Sequence, residues 1–343
     1  MKRKIITALV CVGAWLLCEG VISPEMMKAM SHDKSRVIGE TKGAKAKEIF
    51  HVVDQNGVPL VDARIHGSFW PGGNGKEYIL VDGLTNVDGE YIAEGISKWK
   101  LTYWVTKEGY YKSSGQIDYL ASTNVPVIKD GKWQPYGTTR IVPLRKIKNL
   151  GKLRVFPDSK RMCRWKIPAL DRWIGFDLEA FDWVEPVGTG KHDDVLIRFR
   201  SEMKNQYFDF RFDMDISFTN NPCAGVYECK KDKFSMFEWA YNANTNKVFK
   251  DSLSFMCEKR PGKRGVTKCL AEDSYLVFRT RTKVDENGNL KEAHYGVISG
   301  EWTSGSETMR ISDACFNPIT NDTNIEDGYY LRKKVQWSKE SKQ

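Results

Sequence analysis

Phe208, Phe210, Phe212, Met214, Ile216 and Phe218 alternate without a break with Asp209, Arg211, Asp213, Asp215 and Ser217. A period of two over that length describes a β-strand with one buried and one wetted face. Such a strand needs neighbours. Val195, Ile197 and Phe199, interleaved with Arg198 and Arg200, are the natural partner across a turn at Ser201–Gln206. Arginines then oppose aspartates on the wetted face, which predicts a cross-strand ladder of charge. Tyr275–Val284 and Leu290–Ser299 form another hairpin about Asp285-Glu286-Asn287-Gly288-Asn289, where Asn-Gly supplies the positive φ of a tight turn. Within this region a short helix is expected only at Ser235–Asn242. The region 150–337 therefore reads as a large antiparallel, β-rich, sandwich-like domain.

A second set of strands lies upstream. Phe50-His51-Val52-Val53 stops at Asp54-Gln55-Asn56-Gly57, and Val61 to Phe69 then alternates apolar and polar residues. Asn86-Val87-Asp88-Gly89 leads into Glu90-Tyr91-Ile92, and the β-rich run Leu101–Thr106 ends at Glu108-Gly109-Tyr110. Short strands punctuated at this spacing predict a small sandwich over 48–145. Three phrases carry a family resemblance: Val-Asp-Gln-Asn-Gly-Val-Pro-Leu-Val-Asp-Ala (53–63), Leu-Thr-Asn-Val-Asp-Gly-Glu-Tyr (84–91) and Val-Thr-Lys-Glu-Gly-Tyr (105–110). They resemble the carboxypeptidase regulatory-like, or transthyretin-like, domain. The resemblance implies a seven-stranded prealbumin/Ig-like sandwich with an accessory role and no catalytic residues. The Trp70-Pro71-Gly72-Gly73-Asn74-Gly75 stretch departs from it as a long loop. In the downstream region, Trp173-Ile174-Gly175-Phe176-Asp177-Leu178-Glu179, Ala293-His294-Tyr295-Gly296 and Phe316–Asn324 resemble uncharacterised secreted bacterial proteins, which implies context and no roles.

The whole chain is thus expected to be all-β. Its 343 residues suffice for two domains with real cores. Met1-Lys2-Arg3-Lys4 followed by the apolar run Ile5–Leu17 fits a secretory signal spanning 1–20, too short to span a bilayer. Leu17 stands where a small residue would precede a lipidated cysteine, which disfavours an anchor at Cys18. Residues 21–47 read as a linker. Removal of the signal takes away three basic residues and Glu19, lowering the formal charge from +9 to about +7. A basic exported protein meets acidic glycans, wall polymers or anionic lipid rather than nucleic acid.

Six cysteines follow the signal: Cys163, Cys223, Cys229, Cys257, Cys269 and Cys315. An even number in an exported chain points to disulfides, with 15 pairings open. Cys257 and Cys269 lie symmetrically about Lys263, so a hairpin turning there sets them opposite each other. Cys223 with Cys229, and Cys163 with Cys315, are a further arrangement. The spacings do not match a structural zinc site, and no motif calls for a metal or cofactor.

No nucleophile elbow, phosphate loop or HExxH helix is present. The carboxylates best placed for catalysis are Asp177 and Glu179, which share a strand face with Trp173 and suggest a glycosidase subsite. Trp70, Trp133 and Trp302 sit beside Gly- or Pro-containing loops and are candidate sugar-stacking platforms. Lys259, Arg260, Lys263 and Arg264, with Lys268, crowd one turn against Glu258 alone, a density suited to an anionic polymer or membrane surface. These features favour a secreted or cell-envelope, non-enzymatic two-domain β-protein that binds a glycan, another polymer or a protein partner. The alternative is a glycan-active hydrolase using Asp177 and Glu179.

Overall fold

The computed structural model describes residues 34, 37–39, 41–70, 79–120, 128–156, 164–205, 207–232 and 235–326. The expected signal at 1–20 with Cys18, most of the segment 21–47, residues 71–75, Cys163 and residues 327–337 lie outside the described residues. The protein is an all-β sandwich structure, and the chain divides into two compact units that meet in sequence between Lys146 and Ile147. Among the described residues, no helix is long and apolar enough to cross a membrane.

The first unit is built from β1 (Ala44–Asp54), β2 (Arg64–Phe69), β3 (Ile79–Leu84), β4 (Glu90–Ser97), β5 (Lys100–Thr106), β6 (Ser113–Asp118), β7 (Ile128–Lys129), β8 (Lys132–Trp133) and β9 (Thr138–Leu144). One sheet runs β3-β2-β5-β6. In the other, β1 pairs antiparallel with β4 on one side and parallel with β9 on the other. Ala44–Lys47, expected as linker, is the start of β1. Ala44 and Ala46 are buried and alternate with two lysines, so small residues carry the strand period where large ones were sought. The turn at Asp54–Gly57 closes with Gly57 at φ 83°, and Asp54 accepts the Asn56 and Val58 amides. Beyond it the chain changes sheet, so Phe50 and Val52 of one layer meet Ile65 and Phe69 of the other in a single core.

The second unit comprises β10 (Arg154–Phe156), β11 (Arg164–Lys166), β12 (Trp173–Asp177), β13 (Asp182–Trp183), β14 (Val195–Asn205), β15 (Asp209–Ser217), β16 (Gly225–Lys230), β17 (Ser252–Lys259), β18 (Val266–Lys268), β19 (Ser274–Val284), β20 (Leu290–Ser304) and β21 (Thr308–Phe316). One six-stranded sheet is β10-β21-β20-β19-β16 with β11 also on β21; the other is β13-β12-β14-β15-β17-β18. Their inner faces supply Phe176, Ile197, Phe199, Met214, Ile216, Phe278, Trp302 and Ile311 to one core. The β14–β15 pairing sets Arg198 opposite Asp215 and Arg200 opposite Asp213, the expected charge ladder.

Three expectations are corrected here. The apolar face of β15 is buried only from Met214 onward; Phe210 and Phe212 are half-buried and Phe208 is 51% exposed, so the core stops short of the β14–β15 turn. The Ser235–Asn242 stretch is not helical: Phe237 and Trp239 are buried individually, and the Trp239 indole donates to the Ile325 carbonyl at 2.8 Å. Cys257 faces Thr267, not Cys269. The reversal centres on Gly262, at φ 69°, one residue earlier than the symmetric position. Cys257 and Cys269 are then offset by two residues rather than set directly opposite each other, and neither is joined in a disulfide. Among the described residues the structure holds no disulfide.

Candidate functional site

Asp177 and Glu179 lie where β12 runs out into a turn. Asp177 is buried, and both its oxygens are filled. Oδ1 accepts the amides of Glu179 and Ala180, each at 2.9 Å, and Oδ2 accepts those of Lys191 and His192. Arg281 adds Nη2 at 3.1 Å to Oδ1 and holds Glu179 Oε2 through Nη1 at 2.5 Å. It grips Asp194 as well, and its guanidinium lies 4.6 Å from the centre of the Phe316 ring. Arg281 reaches this position from a left-handed backbone (φ 49°) where the β19–β20 ladder is irregular.

Burial pushes the Asp177 carboxyl up, but the amide bonds and Arg281 outweigh it and hold it below the ordinary range. Burial wins at Asp194, whose carboxyl sits above that range despite Arg281. A glycosidase acid needs a raised pKa and an open side toward the substrate. Asp177 has neither, since its lone pairs organise the turn from Glu179 to His192. Glu179 is committed to Arg281, with Arg154 at 3.8 Å. The geometry gives these two carboxylates a structural employment rather than the arrangement of an acid–base couple. Among the described residues, no group of three or more His, Cys, Asp or Glu side chains could hold a metal ion.

The three candidate tryptophans separate. Trp133 is 1% exposed, stacked at 5.5 Å on Tyr119, with its indole donating to the Ser97 carbonyl. Trp302 is 0% exposed, turned into the core where the β20–β21 register shifts, and meets Phe255 edge-on. Neither can act as a stacking platform. Trp70 is half-buried, stacked on Trp99 at 5.8 Å with Lys100 Nζ 4.1 Å from its ring centre.

Among the described residues, the exposed tryptophan of the second unit is Trp173, at 45%. Its strand position was legible as outward-facing, but the neighbours that make it notable come from other strands. The registers of β12, β14, β15 and β17 place Trp173, Arg198, Asp215 and Ser254 in one row across four adjacent strands, a span of roughly 14 Å at ordinary strand spacing. The Arg198 guanidinium lies 4.7 Å from the centre of the Trp173 ring and donates from Nη2 to Asp215 Oδ2 at 2.9 Å. Arg200 reaches the same oxygen at 2.5 Å, and Ser254 donates to Oδ1 at 2.9 Å. Arg211 grips Asp213 beside them. Burial raises the Asp215 carboxyl, but the bonds from Arg198, Ser254 and Arg200 outweigh it and leave it lowered. The three guanidiniums use one or two donors each in these bonds, out of five, and their side chains remain 35–41% exposed.

The basic turn is also redistributed. Arg260 is not a free cation: Glu202, Asp209 and Glu258 bind it at 3.0, 3.2 and 2.8 Å. Bonds from Glu202, then Glu258 and Asp209, raise its pKa further. The two carboxylates missing from the sequence reading arrive from β14 and β15. Lys259, Lys263 and Arg264 are exposed.

No family model and no curated protein matches the chain. Among solved structures, it is similar to 3-chlorocatechol 1,2-dioxygenase from Rhodococcus opacus 1CP at 14% identity and TM-score 0.25, over 42% of this chain and 98% of that one. Wild-type catechol 1,2-dioxygenase from Acinetobacter radioresistens matches at 16% identity and TM-score 0.23, over 32% of this chain and 54% of that one. Catechol 1,2-dioxygenase from Acinetobacter sp. ADP1 matches at 11% identity and TM-score 0.24, over 32% and 55%. This chain thus spans about half the length of the two Acinetobacter structures. TM-scores of this size carry no argument about fold or chemistry.

Proposed function

We propose that this is an exported, non-enzymatic β-protein whose second unit binds a neutral glycan or similar polyhydroxyl polymer of the cell envelope on the outer face of the β12-β14-β15-β17 sheet. Export rests on the signal-like residues 1–20, and an accessory role for the first unit rests on its resemblance to carboxypeptidase regulatory-like domains. The observation that carries the reading is the row Trp173–Arg198–Asp215–Ser254. An exposed indole offers a flat apolar surface to a sugar ring, while fixed donors and acceptors beside it meet hydroxyl groups. The ion pairs hold those groups in place before any ligand arrives, which lowers the entropic cost of binding. Three arginines against two aspartates leave this part of the face nearly neutral, which suits an uncharged ligand better than a polyanion. A glycan array and a pull-down from cell-envelope material test the proposal. Retention of a neutral glycan is expected; failure of both leaves a protein partner or a scaffold role.

A further inference from the structure

The end of the same sheet carries a different surface. The β14–β15 and β17–β18 turns lie side by side there, because Met203 pairs with Phe210 and Phe210 pairs with Lys259. Met203, Tyr207 and Phe208 are 53%, 71% and 51% exposed at the first turn. Lys259, Lys263 and Arg264 are exposed at the second, and among the described residues none of the three forms an ion pair. Arg260 is bound between the turns by three carboxylates, which exceed its own charge, and fastens one hairpin to the other.

We propose that this end of the second unit docks on an anionic lipid bilayer, with Met203, Tyr207 and Phe208 entering the interface and Lys259, Lys263 and Arg264 meeting the headgroups. A hydrated polyanion would use the cations but gains nothing from three solvent-exposed apolar side chains. A bilayer interface uses both, since it accepts aromatic and apolar groups at headgroup depth and attracts each nearby cation. Exposed apolar groups beside unpaired cations are therefore matched by one partner chemistry. The proposal is independent of the glycan reading, whose row of residues it does not use.

The test is co-sedimentation of the full chain with vesicles of phosphatidylcholine alone and of phosphatidylcholine mixed three to one with phosphatidylglycerol. All variants share residues 1–33, so any binding by that stretch is a constant background. The protein is expected to bind the mixed vesicles and to bind them less as salt rises. Lys259→Ser/Lys263→Ser/Arg264→Ser should weaken this binding roughly a hundredfold, at about fivefold per cation. Met203→Ser/Tyr207→Ser/Phe208→Ser should weaken it roughly tenfold while leaving retention on heparin unchanged. The six positions are exposed, and the two variants are made separately so that one remains informative if the other misfolds. Failure to bind mixed vesicles above that background overturns the proposal. So does an apolar variant that binds them like the parent, which would indicate a polyanion contact. Loss of a concentration-dependent dimer in that variant, without loss of lipid binding, would assign the surface to a second copy of the chain and equally overturn it.

Discussion

Arg281 and Asp194 meet fork to fork: Nε donates to Oδ1 and Nη2 to Oδ2, each at 2.9 Å. Arg281 belongs to β19 of one sheet and Asp194 leads into β14 of the other, so the pair ties together the two layers of the second unit. Asp194 is 1% exposed and also accepts the Leu178 amide. A buried pair of this kind adds little over a well-packed apolar replacement, but breaking it leaves uncompensated charge in the interior.

Arg281→Ala is therefore expected to cost about 3–5 kcal/mol, because it strands Asp194 and removes the partner of Asp177 and Glu179. Arg281→Lys should recover only part of that loss, since a single ammonium cannot reproduce the fork. Urea denaturation of the three proteins checks both statements; full recovery by lysine would contradict the geometric role of the guanidinium.

The acid side of the stability profile follows from Asp177. Its folded carboxyl lies below the ordinary range, so its contribution is present above the unfolded value and disappears as pH falls through the folded one. Asp194 runs the other way: its raised folded pKa makes ionisation a cost that sets in as pH rises. Asp177→Asn should be destabilised by about 1–3 kcal/mol at neutral pH. The gap should narrow as the pH drops below about 4. Denaturation midpoints of both proteins measured from pH 7 to acid check this, and a gap that stays constant would contradict it.

The tryptophans make a further contrast. Trp302→Ala removes a fully buried side chain and is expected to cost about 3–5 kcal/mol. Trp173→Ala lies on the outer face and should stay within about 0.5 kcal/mol of the parent, apart from its contact with Arg198. Thermal melts of the two variants distinguish the roles directly.

Local periodicity made much of this architecture legible. The alternation through Met214, Ile216 and Phe218 and the opposition of Arg198 and Asp215 follow from a period of two, which the backbone imposes wherever a strand is half-buried. The same period could not say that the core stops short of Phe210 and Phe212, because that depends on what packs against them from elsewhere in the chain. Symmetry about Lys263 suggested a Cys257–Cys269 pair, but a reversal centred on Gly262 offsets the cysteines. Arg281 was invisible as a site: its partners Asp177 and Asp194 are separated from it by 104 and 87 residues, and no local pattern records such contacts. Gly- and Pro-containing loops beside Trp133 and Trp302 suggested exposure, yet a residue next to a loop can still point inward and close the end of a core.

The measurement that bears most directly on the proposed glycan-binding face is affinity electrophoresis of the parent and Trp173→Ala through gels containing a panel of neutral polysaccharides. The parent should be retarded by at least one of them, and Trp173→Ala should lose at least about thirtyfold in affinity for that polysaccharide, as for a central aromatic contact, with its melting temperature essentially unchanged. Free migration of the parent through every polysaccharide, or equal retardation of the two proteins, would contradict the assignment.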